Sequence, residues 1–239
     1  PNVIPPTTTL RLLEEKQEIG QRNSLVNYSF YLGATSENIE EIRKADPRTT
    51  CGIKVFMGSS TGNMLVDHIP TLERIFAEVP LLIATHCEDT PLINKNLAAF
   101  RQRYGEAIPP EAHPLIRSRE ACFKSSSLAA TLARKYKSRL HILHLSTAEE
   151  TKLPDSGIRT QKQITGEVCV HHLWFNDQAY TSKGNLVKWN PAIKTEQDRL
   201  SLLKAVKEGR IDIIATDHAP HLSVSYTHLR AHETGAYLV

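Results

Sequence analysis

The chain has 239 residues, of which 40% are hydrophobic and 23% charged, and 29 Lys/Arg against 26 Asp/Glu leave a net charge of +3. That balance fits a soluble globular protein with one sizeable core, and the interspersed charges form no basic stripe for nucleic acid or membrane surfaces. Cys51, Cys87, Cys122 and Cys169 are too far apart for a zinc knuckle or a CxxC redox pair. With no signal peptide and no apolar run of membrane-spanning length, we expect a cytoplasmic protein in which three of these cysteines, in or beside apolar strand-like runs, are reduced core thiols.

In chain order, a Pro/Thr-rich loop, PNVIPPTTT, precedes a predicted helix from Thr9 to about Gly20. Leu25–Leu32 reads as a strand from its aromatic and β-branched content, and Glu37–Lys44 as a short helix. Gly52–Met57 is the next strand, followed by a small-residue loop, a helix over Pro70–Val79 and a strand over Pro80–Thr85 that ends at His86. Helices are expected over Asn94–Tyr104 and Arg117–Lys137, with a loop over Pro109–Pro114 between them. Arg139–Leu145 is a strand ending near His144, and Ser146-Thr147-Ala148-Glu149 has the capping-box pattern of a helix start. Gly166–His172 is a further strand. Lys188–Lys194 is a loop, and Thr195-Glu196-Gln197-Asp198 opens a helix to about Glu208. The series closes on a short buried strand, IDIIA, whose tip is Thr216-Asp217-His218. Strands alternating with helices, each strand ending in polar residues, call for parallel βαβ units and a (β/α)8 TIM-type barrel with its chemistry at the strand tips.

Four tips carry the chemistry. Lys54 sits between Ile53 and Val55, where a charged amine is costly. It is an ion-paired or snorkelling lysine, a Schiff-base nucleophile, or an amine carboxylated by CO2 into a two-oxygen metal ligand. His86 and His144 each end a strand, a position where a lone histidine is usually structural, and His141 falls on the opposite strand face from His144. Asp217 completes a Lys/His/His/Asp set on four different strands, a coincidence that favours a shared divalent ion, zinc best suited. No GxSxG elbow supports a serine hydrolase.

PNVIPPTTT, GIKVFMGSS, ATHCEDT, HILHLST, GEVCVHHL, KWNPAIK and ATDHAPH, in that order, resemble the dihydroorotase family of the amidohydrolase superfamily, whose members are metal-dependent (β/α)8 barrels. The resemblance spans nearly all of residues 1–221 and is most specific at PNVIPP and DHAPH; hydantoinases and allantoinases share the lysine strand and the histidines. It implies reversible interconversion of N-carbamoyl-L-aspartate and L-dihydroorotate in pyrimidine synthesis. Lys54, N-carboxylated, would bridge two zinc ions, and His86 and His144 would hold one of them. Asp217 would hold the other and serve as general base and acid toward a metal-bridging hydroxide. Asn2, Asn190 and His221 would bind the substrate carboxylate and ring amides, with Glu167 behind the ligands. His171, His172 and His218 would be structural, and Lys194 stands where an arginine is common. The implied partner is the small-molecule substrate, and barrels of this family are commonly homodimers.

Two departures set further expectations. The family's first strand, with its His-x-His ligand pair, is not in the sequence, so residues 1–221 are expected to form a partial barrel with unpaired edges. Such a chain would fold poorly, bind at most one metal weakly and be inactive alone. Residues 222–239 match nothing in the family; SYTHLRAHET resembles a translated sequencing-adapter read-through, so the tail is expected to be non-native and its His228 and His232 without a role.

Overall fold

The computed structural model describes residues 3, 5–58 and 64–218. Its six strands are β1 Tyr31–Gly33, β2 Gly52–Phe56, β3 Ile83–His86, β4 Leu140–Ile142, β5 Ile164–Cys169 and β6 Ile213–Ala215. They form one sheet in sequence order, every neighbouring pair parallel. Nine helices lie among the described residues: α1 Leu10–Asn23, α2 Ile39–Ile42, α3 Ile69–Glu78, α4 Thr90–Tyr104, α5 His113–Ile116, α6 Arg119–Tyr136, α7 Val170–Trp174, α8 Ala179–Lys183 and α9 Glu196–Lys207. None is long and apolar enough to cross a membrane.

The longer helices begin where a side chain can satisfy their first free N–H groups. Thr9 caps α1, Asp89 caps α4 and Ser118 caps α6, each accepting from the amide three residues on. Thr195 and Asp198 complete a reciprocal capping box at α9.

The register separates the two sheet faces. Ile53, Ile83, Leu140 and Ile164 share one row and join the main core with Leu72, Ile75 and Phe76 of α3, Ala129 and Ala133 of α6, and Leu202 of α9. The alternate row, Lys54, Ala84, His141 and Thr165, belongs to the other, inner face. His86 follows two residues beyond Ala84 on that face, and Glu167 and Cys169 follow Thr165.

Several sequence expectations need correction. Of the Leu25–Leu32 segment only Tyr31 and Leu32 are strand, continued by Gly33; Leu25 and Val26 are exposed, and β-propensity alone cannot make a strand without a partner. The Ser146–Glu149 segment starts no α-helix. Glu150, one residue after the expected cap partner, folds its carboxylate back onto the amides of Ser146 and Thr147 and closes a tight turn. The strand expected over Gly166–His172 spans Ile164–Cys169, and His171 and His172 belong to α7. The Pro109–Pro114 segment winds into a 3-10 turn and the start of α5. Finally, β6 is not buried: Ile213 and Ile214 are 39% and 55% exposed, because β6 pairs only with β5 among the described strands.

A buried ion pair anchors β6. Lys162 Nζ lies 2.9 Å from Asp212 Oδ1, both side chains almost wholly buried. The other Asp212 oxygen accepts from the Gly166 amide at 3.1 Å. Removing one partner strands a buried charge. Asp212→Ala should lower the unfolding free energy by about 3–5 kcal/mol in urea titrations; a loss below about 1 kcal/mol would mean that the pair does not hold β6.

Candidate active site

Of the sequence-predicted ligands, His86 ends β3 and His144 and Asp217 lie two residues past β4 and β6, whereas Lys54, expected at a strand tip, sits in the middle of β2 with its side chain on the inner face. His86 Nδ1 and His144 Nε2 face each other at 3.0 Å, both rings buried. Two nitrogens at zinc-ligand distance in a tetrahedral site would stand roughly 3.3 Å apart, so the pair is spaced to share an ion. The fit is reinforced on the far side of His86, whose Nε2 meets the buried Glu88 carboxylate at 2.9 Å. A proton held on Nε2 by that carboxylate leaves the Nδ1 lone pair directed at His144.

Glu88 is itself fixed. Arg117 donates to the same oxygen at 2.5 Å. Burial pushes the Glu88 carboxyl up, but Arg117 and His86 overcome it and hold the pKa near 2. Burial, with His86 and Lys54 nearby, pushes His144 well below the usual imidazole value, keeping it neutral, the state a metal requires.

Among the described residues, the non-glycine positions with positive φ are Lys137, His144 at 39° and Asp217 at 45°. Two of the three are predicted ligands, each just past a strand end, and His and Asp tolerate this left-handed region better than most. The turn also corrects the expected separation of His141 from His144. His141 lies on the inner face through its register with Ala84, and the turn at His144 brings that ring back to His86 on the same side.

Lys54 is partly buried, its amine 4.6 Å from the Phe56 ring centre. Burial draws its pKa down to about 8, against the pull of Asp217 and Glu167. Much of Asp217 faces solvent at the open edge. Packing around its carboxyl still raises its pKa, with Lys54 and His86 pulling the other way. Glu167 lies 3.1 Å from His141 Nε2, whose Nδ1 meets Thr165 Oγ1 at 2.8 Å. Lys54, His86, His144, Asp217 and Glu167 therefore gather on one side of the sheet.

Asn190 lies on a pinned loop. His113 Nε2 donates to the Trp189 carbonyl at 2.8 Å, His172 Nε2 donates to the Pro191 carbonyl at 3.0 Å, and the Asn190–Pro191 peptide is cis. Asn190 Oδ1 is buried with no hydrogen-bond partner. Lys194 is buried and donates to the Ala192 carbonyl at 3.0 Å. Asn2, His221 and the 222–239 tail lie outside the described residues.

Sequence reasoning assigned no role to Glu88 or Arg117. The available signal was a carboxylate two residues after a strand-end histidine in ATHCEDT; its arginine is 29 residues away and could be paired only by the fold. Gly58 belongs to the same construction, since a Cβ there would sit 1.6 Å from the Glu88 carbonyl oxygen. Gly58→Ala should therefore displace the Glu88 backbone and cost about 1–3 kcal/mol, read from urea unfolding, whereas wild-type stability would show that the two loops are not in contact.

No protein-family profile matches the chain. Sequence comparison finds dihydroorotases from Methanothermobacter thermautotrophicus (31% identity, 92% of this chain and 48% of that protein) and Methanosarcina acetivorans (30%, 93% and 48%). It also finds an allantoinase from Streptomyces avermitilis (28%, 92% and 49%). Among solved structures, the L-hydantoinase of Arthrobacter aurescens superposes with a TM-score of 0.83 at 23% identity, over 91% of this chain and 49% of that one. The Saccharomyces cerevisiae dihydroorotase in complex with 5-fluoroorotic acid gives 0.71 at 18%, over 99% and 65%. The chain spans about half the length of the curated relatives it matches. By sequence the chain is similar to dihydroorotases and to an allantoinase, and by fold the described residues form part of a parallel α/β barrel like those of the matched hydantoinase and dihydroorotase structures.

Proposed function

We propose that this chain contributes much of the active site of a dihydroorotase, which hydrolyses L-dihydroorotate to N-carbamoyl-L-aspartate and runs the reverse ring closure. The observation that carries this reading is the buried His86–His144 pair, its facing nitrogens 3.0 Å apart beside Lys54 and Asp217. Lys54, His86, His144 and Asp217 would hold two divalent ions, for which zinc suits the imidazole and carboxylate donors. When bound, such ions polarise a ring carbonyl and make water acidic enough to attack near neutral pH.

The protein's own groups do the rest. With a pKa near 8, Lys54 has a neutral fraction at physiological pH. Its nitrogen can add to CO2 and lose a proton, giving an anionic carbamate. Asp217 accepts the proton of the attacking water and returns it to the ring nitrogen as the C–N bond breaks. Glu88, braced by Arg117, keeps the His86 ring turned toward His144. Asn190, with Asn2 and His221, would hold the substrate carboxylate and amides, and the unpartnered Asn190 Oδ1 is available for a ring N–H. Glu167 orients His141 at the inner end of the group.

A second reading, a hydantoinase- or allantoinase-like cyclic amidase, is favoured by the TM-score of 0.83 to the L-hydantoinase and by the allantoinase relative. A non-catalytic scaffold is disfavoured because all four ligand positions are intact. The 239-residue chain and its full-length reading frame should be assayed after zinc loading with dihydroorotate, hydantoin and allantoin. We expect turnover of dihydroorotate by the full-length protein and none by the 239-residue chain; preference for hydantoin or allantoin would move the assignment to the second reading. In the active form, Asp217→Asn should lower kcat by about 10²–10⁴-fold. Glu88→Gln should weaken zinc binding about 10–100-fold in chelator competition, and unchanged affinity would deny Glu88 its orienting role.

A further inference from the structure

Where β5 runs into α7, Cys169, His171 and His172 bring a thiol and two imidazoles together, one donor atom from each lying within 4.8 Å of the others. All three residues are buried. His172 is arranged as a ligating histidine is. Its Nε2 donates to the Pro191 carbonyl at 3.0 Å, which fixes the tautomer and leaves the Nδ1 lone pair for an acceptor role. That Nδ1 is buried and has no hydrogen-bond partner, whereas a histidine serving only to fill the core would ordinarily have both nitrogens satisfied. A backbone carbonyl on one imidazole nitrogen with a metal on the other is the common second-layer arrangement of metal-bound histidine. His171 is held in place by parallel stacking on Trp189, at 4.4 Å between centroids and 7° between planes, and its ring centre lies 4.4 Å from that of His172, the two planes tilted by 49°.

We propose that Cys169, His171 and His172 form a separate metal site for one thiophilic divalent ion of the zinc class. One thiolate and two imidazoles are a donor set that zinc accepts, and none of the three belongs to the Lys54/His86/His144/Asp217 group. Binding replaces the thiol proton: the Cys169 sulfur bonds the incoming cation and one proton is released to solvent. The 4.8 Å spread exceeds the roughly 3.5 Å between donors around a tetrahedral zinc, so loading would draw the three side chains about 1 Å together. An ion there would tie the end of β5 to the 189–191 loop, since His171 stacks on Trp189 and His172 bonds Pro191.

Cobalt(II) titration of the 239-residue chain tests the proposal, because a sulfur-to-cobalt charge-transfer band in the near ultraviolet reports a thiolate ligand and the other proposed centre has none. One equivalent of cobalt should develop the band in the wild type. Cys169→Ser should abolish it, and Cys51→Ser, at an exposed cysteine, should leave it intact. Absence of the band in the wild type, or its persistence in Cys169→Ser, overturns the site. Should Cys169→Ser fail to fold, His171→Gln decides: at least a tenfold weaker cobalt titration is expected, and an unchanged one overturns the proposal. Either outcome leaves the dihydroorotase reading untouched.

Discussion

Two buried imidazoles facing each other at 3.0 Å are a costly arrangement unless something dictates which nitrogen carries the proton. Here that constraint runs through a single line of side chains, Arg117 to Glu88 to His86 to His144. Glu88 could not stay ionised in a buried site alone; Arg117 compensates for its lost hydration, and together they fix the His86 ring. The surrounding helices serve this line. Asp89, next to Glu88, caps α4, while Ser118, next to Arg117, caps α6. The Asp89 amide also donates to the Ala121 carbonyl within α6. Two helix starts and a strand end thus meet where the orienting charge pair is placed.

The inner face of the sheet is unusually polar for a core-forming element. Lys54 and His141 share a register row with Ala84 and Thr165, and the outer face carries the large aliphatic core. This division follows from the two-residue period of a strand: one lysine among isoleucine and valine points the opposite way from its neighbours. It also explains how the strands can be stable while presenting ionisable groups, since the outer rows contribute the apolar burial and the inner rows the chemistry. The Lys162–Asp212 pair extends the same logic to β6, which pairs only with β5 among the described residues and is fixed there through charge and the Gly166 amide.

Much of this was legible in the sequence, and the gaps have physical causes. Parallel strands alternating with helices, the helix starts near Thr9 and Thr195, the strand carrying Lys54, and the strand-end positions of His86, His144 and Asp217 all followed from local patterns, while the expected tip position of Lys54 did not hold. Val170-His171-His172 read as strand because a few residues of mixed polarity cannot separate a strand end from a one-turn helix. The capping-box pattern at Ser146 pointed to Glu149, whereas the adjacent Glu150 is the residue that turns inward. Glu88 and Arg117 were invisible as a unit because charge pairing across 29 residues leaves no periodic trace. The left-handed turns at His144 and Asp217 were equally hidden: neither residue is a glycine, and only the fold shows that the backbone bends there to aim a side chain.

The central claim is that His86 and His144 are preset to share an ion. Its most direct test is X-ray absorption spectroscopy at the zinc edge of the zinc-loaded chain, compared with a His86→Ala/His144→Ala double variant. We predict nitrogen scatterers near 2.0–2.1 Å with imidazole multiple scattering, diminished by two histidines in the variant. An identical zinc environment in both proteins would show that the pair is a hydrogen-bonded core contact and would contradict the account.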